Sequence, residues 1–98
     1  MIKTGSCSGS ADWKLKAQHD NGGIETEFEV DQNRVGKRWK VVICQNGIKR
    51  FEGIRTTKAP SGSFTVRRLL DNTAGSDEIV AKARGLATGQ TCRGALTV

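Results

Sequence analysis

Three carboxylates in the stretch HDNGGIETEFEV, residues 19–30, have the type and spacing that chemistry could use. Glu25, Glu27 and Glu29 occupy every second position, so an extended chain would place them in a row on one side. Such a row could bind a cation, or two of its members could serve as general acid and base. Acid–base work requires one carboxyl to be desolvated so that its pKa rises. Because apolar or β-branched residues fill the intervening positions, the pattern favours the water-exposed side of a strand.

The other residues that could act in catalysis lack the partners that catalysis needs. His19, the only histidine, and Asp20 stand next to a tight-turn signal, where a triad with an oriented serine is not expected. Cys44 lies in an apolar run and is better interpreted as a small hydrophobe than as a nucleophile. One histidine and three widely separated cysteines also lack the short paired spacing of zinc sites. We therefore expect no enzyme activity, no catalytic residue, no cofactor and no metal.

The three cysteines predict one disulfide and one free thiol. Cys7 and Cys92 lie near opposite ends of the chain, and the first and last strands of a β-sandwich can be neighbours. Cys92 is also in phase with the apolar residues of the last segment, so we expect a Cys7–Cys92 bond and a free, buried Cys44. Disulfides persist in oxidising compartments. We therefore expect the mature part of an exported protein, secreted or at the cell surface, although no apolar export segment follows Met1.

The net charge of +6, from 16 Lys and Arg against 10 Asp and Glu, leaves the partner open. The basic residues are spread along the chain without a run that would mark a nucleic-acid tail, and the charge could serve solubility alone. It could also attract an acidic polymer such as a cell-wall polysaccharide or nucleic acid. Neighbouring strands could join two basic pairs into one patch, which would comprise Lys37, Arg38, Arg67 and Arg68.

Short alternating segments separated by turn residues predict an all-β fold. No stretch has the period of a helix, and no apolar run is long enough to cross a membrane. Trp13 and Trp39, which could stack on sugars, are in phase with apolar residues and are expected in the core. We expect one domain over 1–98, with a flexible lead-in at 1–10, built as a seven-stranded antiparallel sandwich. The strands are expected near 11–18, 24–31, 38–45, 48–55, 63–70, 77–84 and 91–98.

An Asn21-Gly22 dipeptide predicts a hairpin with a two-residue type I′ turn. This turn pairs residues whose numbers sum to 43, which sets Lys14 opposite Glu29 and Lys16 opposite Glu27 on one side. Apolar residues then lie opposite each other on the other side, and a slip of one residue would mix the two sets. Turn chemistry, burial and charge thus agree on one register.

A second hairpin, at Asn46-Gly47, fits the same arithmetic less well. Val42 would lie opposite Phe51, but the residues next to them would set apolar side chains opposite charged ones. We therefore expect a bulge, or an edge strand that ends early. The strand before this turn has apolar residues on both sides, which predicts a central strand with one side in the core and the other partly covered.

The closing stretch AGSDEIVAKARGLATGQTCRGALTV, residues 74–98, resembles the last hairpin of immunoglobulin-like domains in secreted and cell-surface bacterial proteins. The stretch WKLKAQHDNGGIETEFEVDQNRVGKRWKVVICQNG, residues 13–47, resembles the first strands of small exported bacterial β-sandwich domains of unassigned function. The chain differs from antibody-type domains because it has no tyrosine corner and because its cysteines lack the spacing around a core tryptophan. The resemblance implies an immunoglobulin-like sandwich and an exported setting, and it assigns no catalytic or binding residue.

Two functions agree with these expectations. The first is a non-enzymatic exported module for interaction or spacing in a bacterial surface or secreted protein, with another surface protein as partner. The alternative is a binding module for an acidic polymer through its basic side chains. Basic side chains clustered on one sheet face would favour the alternative, and an even spread would favour the first. A monomer without membrane insertion is expected in both cases.

Overall fold

The computed structural model describes residues 1–98, which form eight β-strands and no helix. The strands have five to nine residues, and turns rich in Gly and Asn separate the alternating segments. Their bounds are β1 (Ile2–Ser6), β2 (Asp12–Asp20), β3 (Gly23–Asp31), β4 (Arg38–Gln45), β5 (Ile48–Thr56), β6 (Ser63–Asp71), β7 (Glu78–Gly85) and β8 (Thr91–Thr97). Nowhere does the chain form a helix that is long and apolar enough to cross a membrane.

Two antiparallel sheets of four strands enclose the core. The first sheet has the order β1-β2-β3-β6 and the second has the order β5-β4-β7-β8. Between them, 18 buried hydrophobic residues form one cluster. The largest of its fully buried side chains are Trp39, Phe28, Leu15, Ile24 and Ile43. The predicted all-β antiparallel sandwich is confirmed as two packed sheets, whereas the predicted number of seven strands is wrong.

The additional strand is β1, which lies within the residues expected to be a flexible lead-in, 1–10. It pairs with β2 from Ile2 opposite Lys16 to Ser6 opposite Asp12, so that expectation is corrected. Four of the five residues of β1 are exposed because β1 is an edge strand. Such a strand carries little apolar alternation, which is the signal that a sequence pattern can detect.

The first hairpin has the predicted turn and the predicted register. Asn21 and Gly22 have φ values of 50° and 81°, the positive values that a type I′ turn requires. The pairing sets Lys14 opposite Glu29 and continues without a shift along both strands. Phe28 is fully buried, so the apolar side of the hairpin is in the core. The glutamates of β3 therefore lie on the outer side of the first sheet.

The second hairpin contains the predicted irregularity. Its register shifts between Ile43 and Cys44, where β5 carries one extra residue. Val42 consequently lies opposite Glu52 rather than opposite Phe51, the partner expected from an unbulged hairpin. All pairs beyond the bulge move by one residue in the same way. β4 is central, as expected, because it lies between β5 and β7.

A disulfide joins Cys7 to Cys92, as predicted, and spans a sequence separation of 85 residues. It ties the segment after β1 to β8, which lies in the other sheet, and is compatible with an extracellular location. The main chain reinforces this junction, since the Ser8 amide donates to the Thr91 carbonyl at 2.8 Å. Cys44 is free but only half-buried, so the expectation of a buried thiol is wrong. It lies on the outer side of β4, while its neighbours on the strand occupy the core side.

Trp39 lies in the core, as its phase predicts, whereas Trp13 is half-buried and packs against the core from its edge. Trp39 is fully buried, and its Nε1 donates a hydrogen bond to Gln32 Oε1 at 2.9 Å. Trp13 packs against the core where β1, β2 and β8 meet. A Cβ added to Gly5 or Gly94 would lie 2.7 or 2.5 Å from the indole ring of Trp13. The ring therefore lies directly against both glycines, and no larger residue fits there without movement of the ring.

Candidate functional site

Six basic side chains project from the outer side of the second sheet, which we call the basic face. Successive residues of a strand point to opposite sides, so the neighbours of core residues in β4, β7 and β8 point to solvent. The residues of the face are exposed, and they also include two carboxylates. The basic face comprises Arg38, Lys40, Lys49, Lys82, Arg84 and Arg93, together with Glu52 and Glu78.

Strand pairing gathers four of these cations into one block. Lys40 of β4 lies opposite Arg84 of β7, and Lys82 of β7 lies opposite Arg93 of β8. Lys82 and Arg84 are two residues apart on one strand, so the two pairs occupy adjacent rows. Strand geometry sets the Cα positions about 5 Å apart across the sheet and about 7 Å apart along a strand. The result is a compact array of positive charge.

A groove of about 380 Å³ lies among these side chains. Four cations line it, and the half-buried Val42 provides apolar surface between them. The remaining lining comes from Ala83, Thr91 and Cys92. An extended acidic chain placed in this groove would therefore meet hydrogen-bond donors on several strands and an apolar contact between them.

Glu52 balances only part of the positive charge. Its carboxylate oxygens lie 3.3 Å from Lys40 Nζ and 3.1 Å from Lys49 Nζ. Hydrogen bonds from Lys49, and then from Lys40, lower the pKa of Glu52 below its usual value. The cations of the basic face that have no ion pair are Arg38, Lys82, Arg84 and Arg93. These four are available to an external anion.

The outer side of the first sheet, which we call the acidic face, has the opposite charge. Its acidic residues are Asp12, Asp20, Glu25, Glu27, Glu29, Asp31 and Asp71, and its basic residues are Lys14, Lys16 and Arg67. The lysines lie opposite glutamates, as predicted, but the one ion pair on this face joins Arg67 Nε to Glu27 Oε1 at 3.2 Å. Glu27 therefore forms its ion pair with Arg67 of β6 and not with Lys16 of β2, the partner expected from the sequence.

The four residues predicted to form a basic patch are divided between the sheets. Lys37 precedes β4 and Arg38 opens it, whereas Arg67 and Arg68 lie within β6 of the first sheet. Arg67 points outward on the acidic face. Arg68 points to the other side, where its guanidinium carbon lies 4.2 Å from the centre of the Phe51 ring. Of the four, Arg38 alone belongs to the basic face.

Asp77 is the one buried carboxylate, and its hydrogen bonds explain its position. Its oxygens accept from the Thr73 hydroxyl, from Gln45 Nε2 at 3.0 Å and from Asn46 Nδ2 at 2.9 Å. The hydrogen bond from Thr73 is the main reason that the pKa of Asp77 is lowered, while burial acts in the opposite direction. The main chain of Asp77 also exchanges two hydrogen bonds of 2.9 Å with Val98. This carboxylate therefore braces the β6–β7 loop against the second hairpin.

Of the residues considered for catalysis, Cys44 lies apart from His19 and Asp20. His19 and Asp20 are exposed at the end of β2, whereas Cys44 lies on β4 in the other sheet. No group of three or more His, Cys, Asp or Glu side chains is arranged to hold a metal ion. The concentrated chemistry of the surface is therefore the charge on the two sheet faces.

The chemistry that the basic face offers is anion binding. Lysine and arginine present only hydrogen-bond donors, and arginine can bind carboxylate, sulfate or phosphate with two parallel bonds. The sequence carries one signal for this face, which is the basic spacing Arg38-x-Lys40 and Lys82-x-Arg84 on single strands. Comparison of the chain with protein-family models, with curated proteins and with solved structures found no match.

Proposed function

We propose that the protein is a non-enzymatic, exported module that binds an acidic polymer on its basic face. The observation that carries this proposal is the block of cations around the groove, where Lys82, Arg84 and Arg93 have no acidic partner. Clustering of basic side chains on one sheet face is the feature that separates a polymer-binding module from a spacer. Basic side chains spread evenly over the surface would serve solubility instead.

The arrangement of the cations suits a repeating anion. Rows of cations recur about every 7 Å along the strands, so successive acidic groups of an extended polymer can be bound together. No aromatic side chain is among the exposed residues of the face, which is a poor match for single-stranded nucleic acid, whose bases stack on aromatic rings. The disulfide favours an oxidising compartment. Both features support an extracellular polysaccharide with carboxylate, sulfate or phosphate groups.

The strand pairing supports an immunoglobulin-like domain as the scaffold. β3 pairs with β6 in the first sheet, and β4 pairs with β7 in the second sheet. These pairs correspond to the B–E and C–F pairs of immunoglobulin domains. This scaffold also fits the second candidate function, which is an interaction or spacer module of a surface protein that does not bind an acidic polymer.

A charge-removal experiment separates the two candidates. Fluorescence anisotropy measures binding to labelled polygalacturonate and, in parallel, to a duplex DNA, in low salt and in about 0.15 M salt. Lys82→Ala/Arg84→Ala removes two charges from the basic face. Lys14→Ala/Lys16→Ala removes the same charge from the opposite side of the molecule and is the matched control.

The expected loss follows from the charge removed. A basic residue near an anionic surface contributes about 1 kcal/mol, so the basic-face variant should bind roughly 30-fold more weakly. The control variant should bind nearly as well as the wild type, and tighter binding of polygalacturonate than of DNA would support the polysaccharide. Equal losses in both variants would overturn the assignment to the basic face. If neither polymer bound in low salt, the proposed polymer-binding function would be wrong, and the interaction or spacer module would remain as the candidate function.

A further inference from the structure

The two sheet faces carry net charges of equal magnitude and opposite sign. The basic face has six basic and two acidic residues, a net charge of +4, and the acidic face has seven acidic and three basic residues, a net charge of −4. The net charge of +6 for the whole chain therefore arises from the edges and loops. The acidic face of one molecule is therefore complementary in charge to the basic face of another.

We infer that the acidic face of one copy binds the basic face of the next, so that copies stack head to tail. This inference goes beyond polymer binding but uses the same basic face, so a second copy and an acidic polymer would compete for it. The occupant is a second copy of this chain because the molecule itself presents, on its other sheet, a surface of opposite charge with the same strand spacing.

The two faces match in geometry as well as in charge. Both are surfaces of antiparallel sheets, so their side chains stand on lattices with the same spacings between and along strands. β3 presents Glu25, Glu27, Glu29 and Asp31 in one column. On the basic face of a second copy, the cations around Lys82 and Arg84 stand in adjacent rows with the same spacing along the strand. Several ion pairs can therefore form at once when two faces meet.

The size of the faces is sufficient for a specific contact. The molecule measures 39 × 23 × 21 Å between Cα atoms, so a face that contains the long axis covers about 800–900 Å². Specific complexes bury about 800 Å² on each partner. Because one face binds a different face, the contact does not close on itself and leads to open stacks rather than to symmetric dimers.

Ionic strength decides the balance between attraction and repulsion. The net charge of +6 makes two copies repel at long range, but at about 0.15 M salt this repulsion is screened beyond about 8 Å. Contacts between the faces act at shorter range, and each exposed ion pair contributes about 0.2–1 kcal/mol. Stacking should therefore depend strongly on protein concentration and should be lost in about 1 M salt, where the screening length is about 3 Å.

Two charge-reversed variants test the contact. Lys82→Glu/Arg84→Glu makes the basic face neutral and leaves the acidic face at −4, whereas Glu25→Lys/Glu29→Lys makes the acidic face neutral and leaves the basic face at +4. Each variant alone should sediment as a monomer at concentrations where the wild type forms larger species. A mixture of the two should form a one-to-one complex, because only one attractive pair of faces remains.

A matched control changes the same charge away from both faces. Arg34→Glu/Lys58→Glu lies on exposed loops outside the strands, and this variant should stack like the wild type. Circular dichroism confirms that every variant is folded. A wild type that remains monomeric at all concentrations in about 0.15 M salt, or a mixture that forms no complex, would overturn the inference.

The polymer titration distinguishes this inference from the proposed function. Glu25→Lys/Glu29→Lys leaves the basic face intact, so it should lose stacking and retain binding of labelled polygalacturonate. Retained polymer binding by a wild type that does not stack would overturn the inference alone. Stacking by a wild type that binds no polymer would overturn the proposed function alone.

Discussion

Removal of the Cys7–Cys92 disulfide should destabilise the fold by roughly 4–5 kcal/mol. The bond closes a loop across a sequence separation of 85 residues, nearly the whole chain. A bond of this kind restricts the unfolded chain, and the restriction grows with the length of the loop. In a domain of this size, 1 kcal/mol lowers the melting temperature by about 4–8 °C, so Cys7→Ala/Cys92→Ala should melt roughly 15 °C lower or more.

Thermal unfolding followed by circular dichroism measures this effect, with Cys44→Ala as the control that removes the thiol outside the bond. Hydrogen exchange adds a local measure. The amides of β1 should lose protection first, because without the bond β1 is held by its pairing with β2 and by the Ser8–Thr91 contact. A fall of less than about 5 °C would refute the loop-entropy reasoning. If the melting temperature of Cys44→Ala fell by the same amount, the loss of stability would come from replacing cysteine in general and not from removing the bond.

Three further changes test other parts of the fold. Gly94→Ala should cost about 1–3 kcal/mol in a urea titration, because the added Cβ lies 2.5 Å from the Trp13 ring, and Trp13→Leu in the same chain should restore part of the loss. Asp77→Asn should lower the melting temperature at pH 7. That difference should shrink below about pH 4, which is the pKa of Asp in an unfolded chain. Because the pKa of Asp77 is lowered in the folded protein, its carboxylate stabilises the fold above that pH, and the stabilisation is lost as the pH falls and the carboxylate takes up a proton. Gly22→Ala should cost about 1–2 kcal/mol through its positive φ alone, since nothing lies within 4 Å of the added Cβ, and an unchanged urea midpoint would contradict this.

The register of the first hairpin is predictable because several local features agree on it. The Asn21-Gly22 turn fixes the pairing, and a slip of one residue would expose Phe28 and bury Glu27. The ion pair of that glutamate is not predictable in the same way. Its partner, Arg67, comes from β6, and no local pattern shows that β6 lies beside β3.

β1 cannot be predicted from its own residues. The stretch IKTGS has neither an apolar alternation nor an adjoining hairpin turn. The strand is held by remote features, which are its pairing with β2, the bond from Cys7 to Cys92, and the packing of Trp13 against Gly5. The sequence predicts the bond, but not that the chain before it is extended and paired.

The basic face is predictable only one strand at a time. Alternation shows that Arg38 and Lys40 share a side of β4 and that Lys82 and Arg84 share a side of β7. It does not show that β4 and β7 are neighbours, because β5 and β6 lie between them in the chain and consecutive strands pair more often. Adjacent basic residues such as Arg67-Arg68 are conspicuous in the sequence, yet on a strand they point to opposite sides.

Core and surface occupy alternate positions of each strand, so charge on the faces can change with little effect on the fold. In β7, Ile79, Ala81 and Ala83 are buried, whereas Lys82 and Arg84 are exposed and have no ion pair. Substitutions at such exposed positions usually alter stability by no more than about 0.5 kcal/mol. The two changes together should therefore cost no more than about 1 kcal/mol, so Lys82→Glu/Arg84→Glu should melt within about 8 °C of the wild type while it loses binding and stacking. A much lower melting temperature would show that these cations stabilise the sheet itself, and the separation between fold and surface function would then be contradicted.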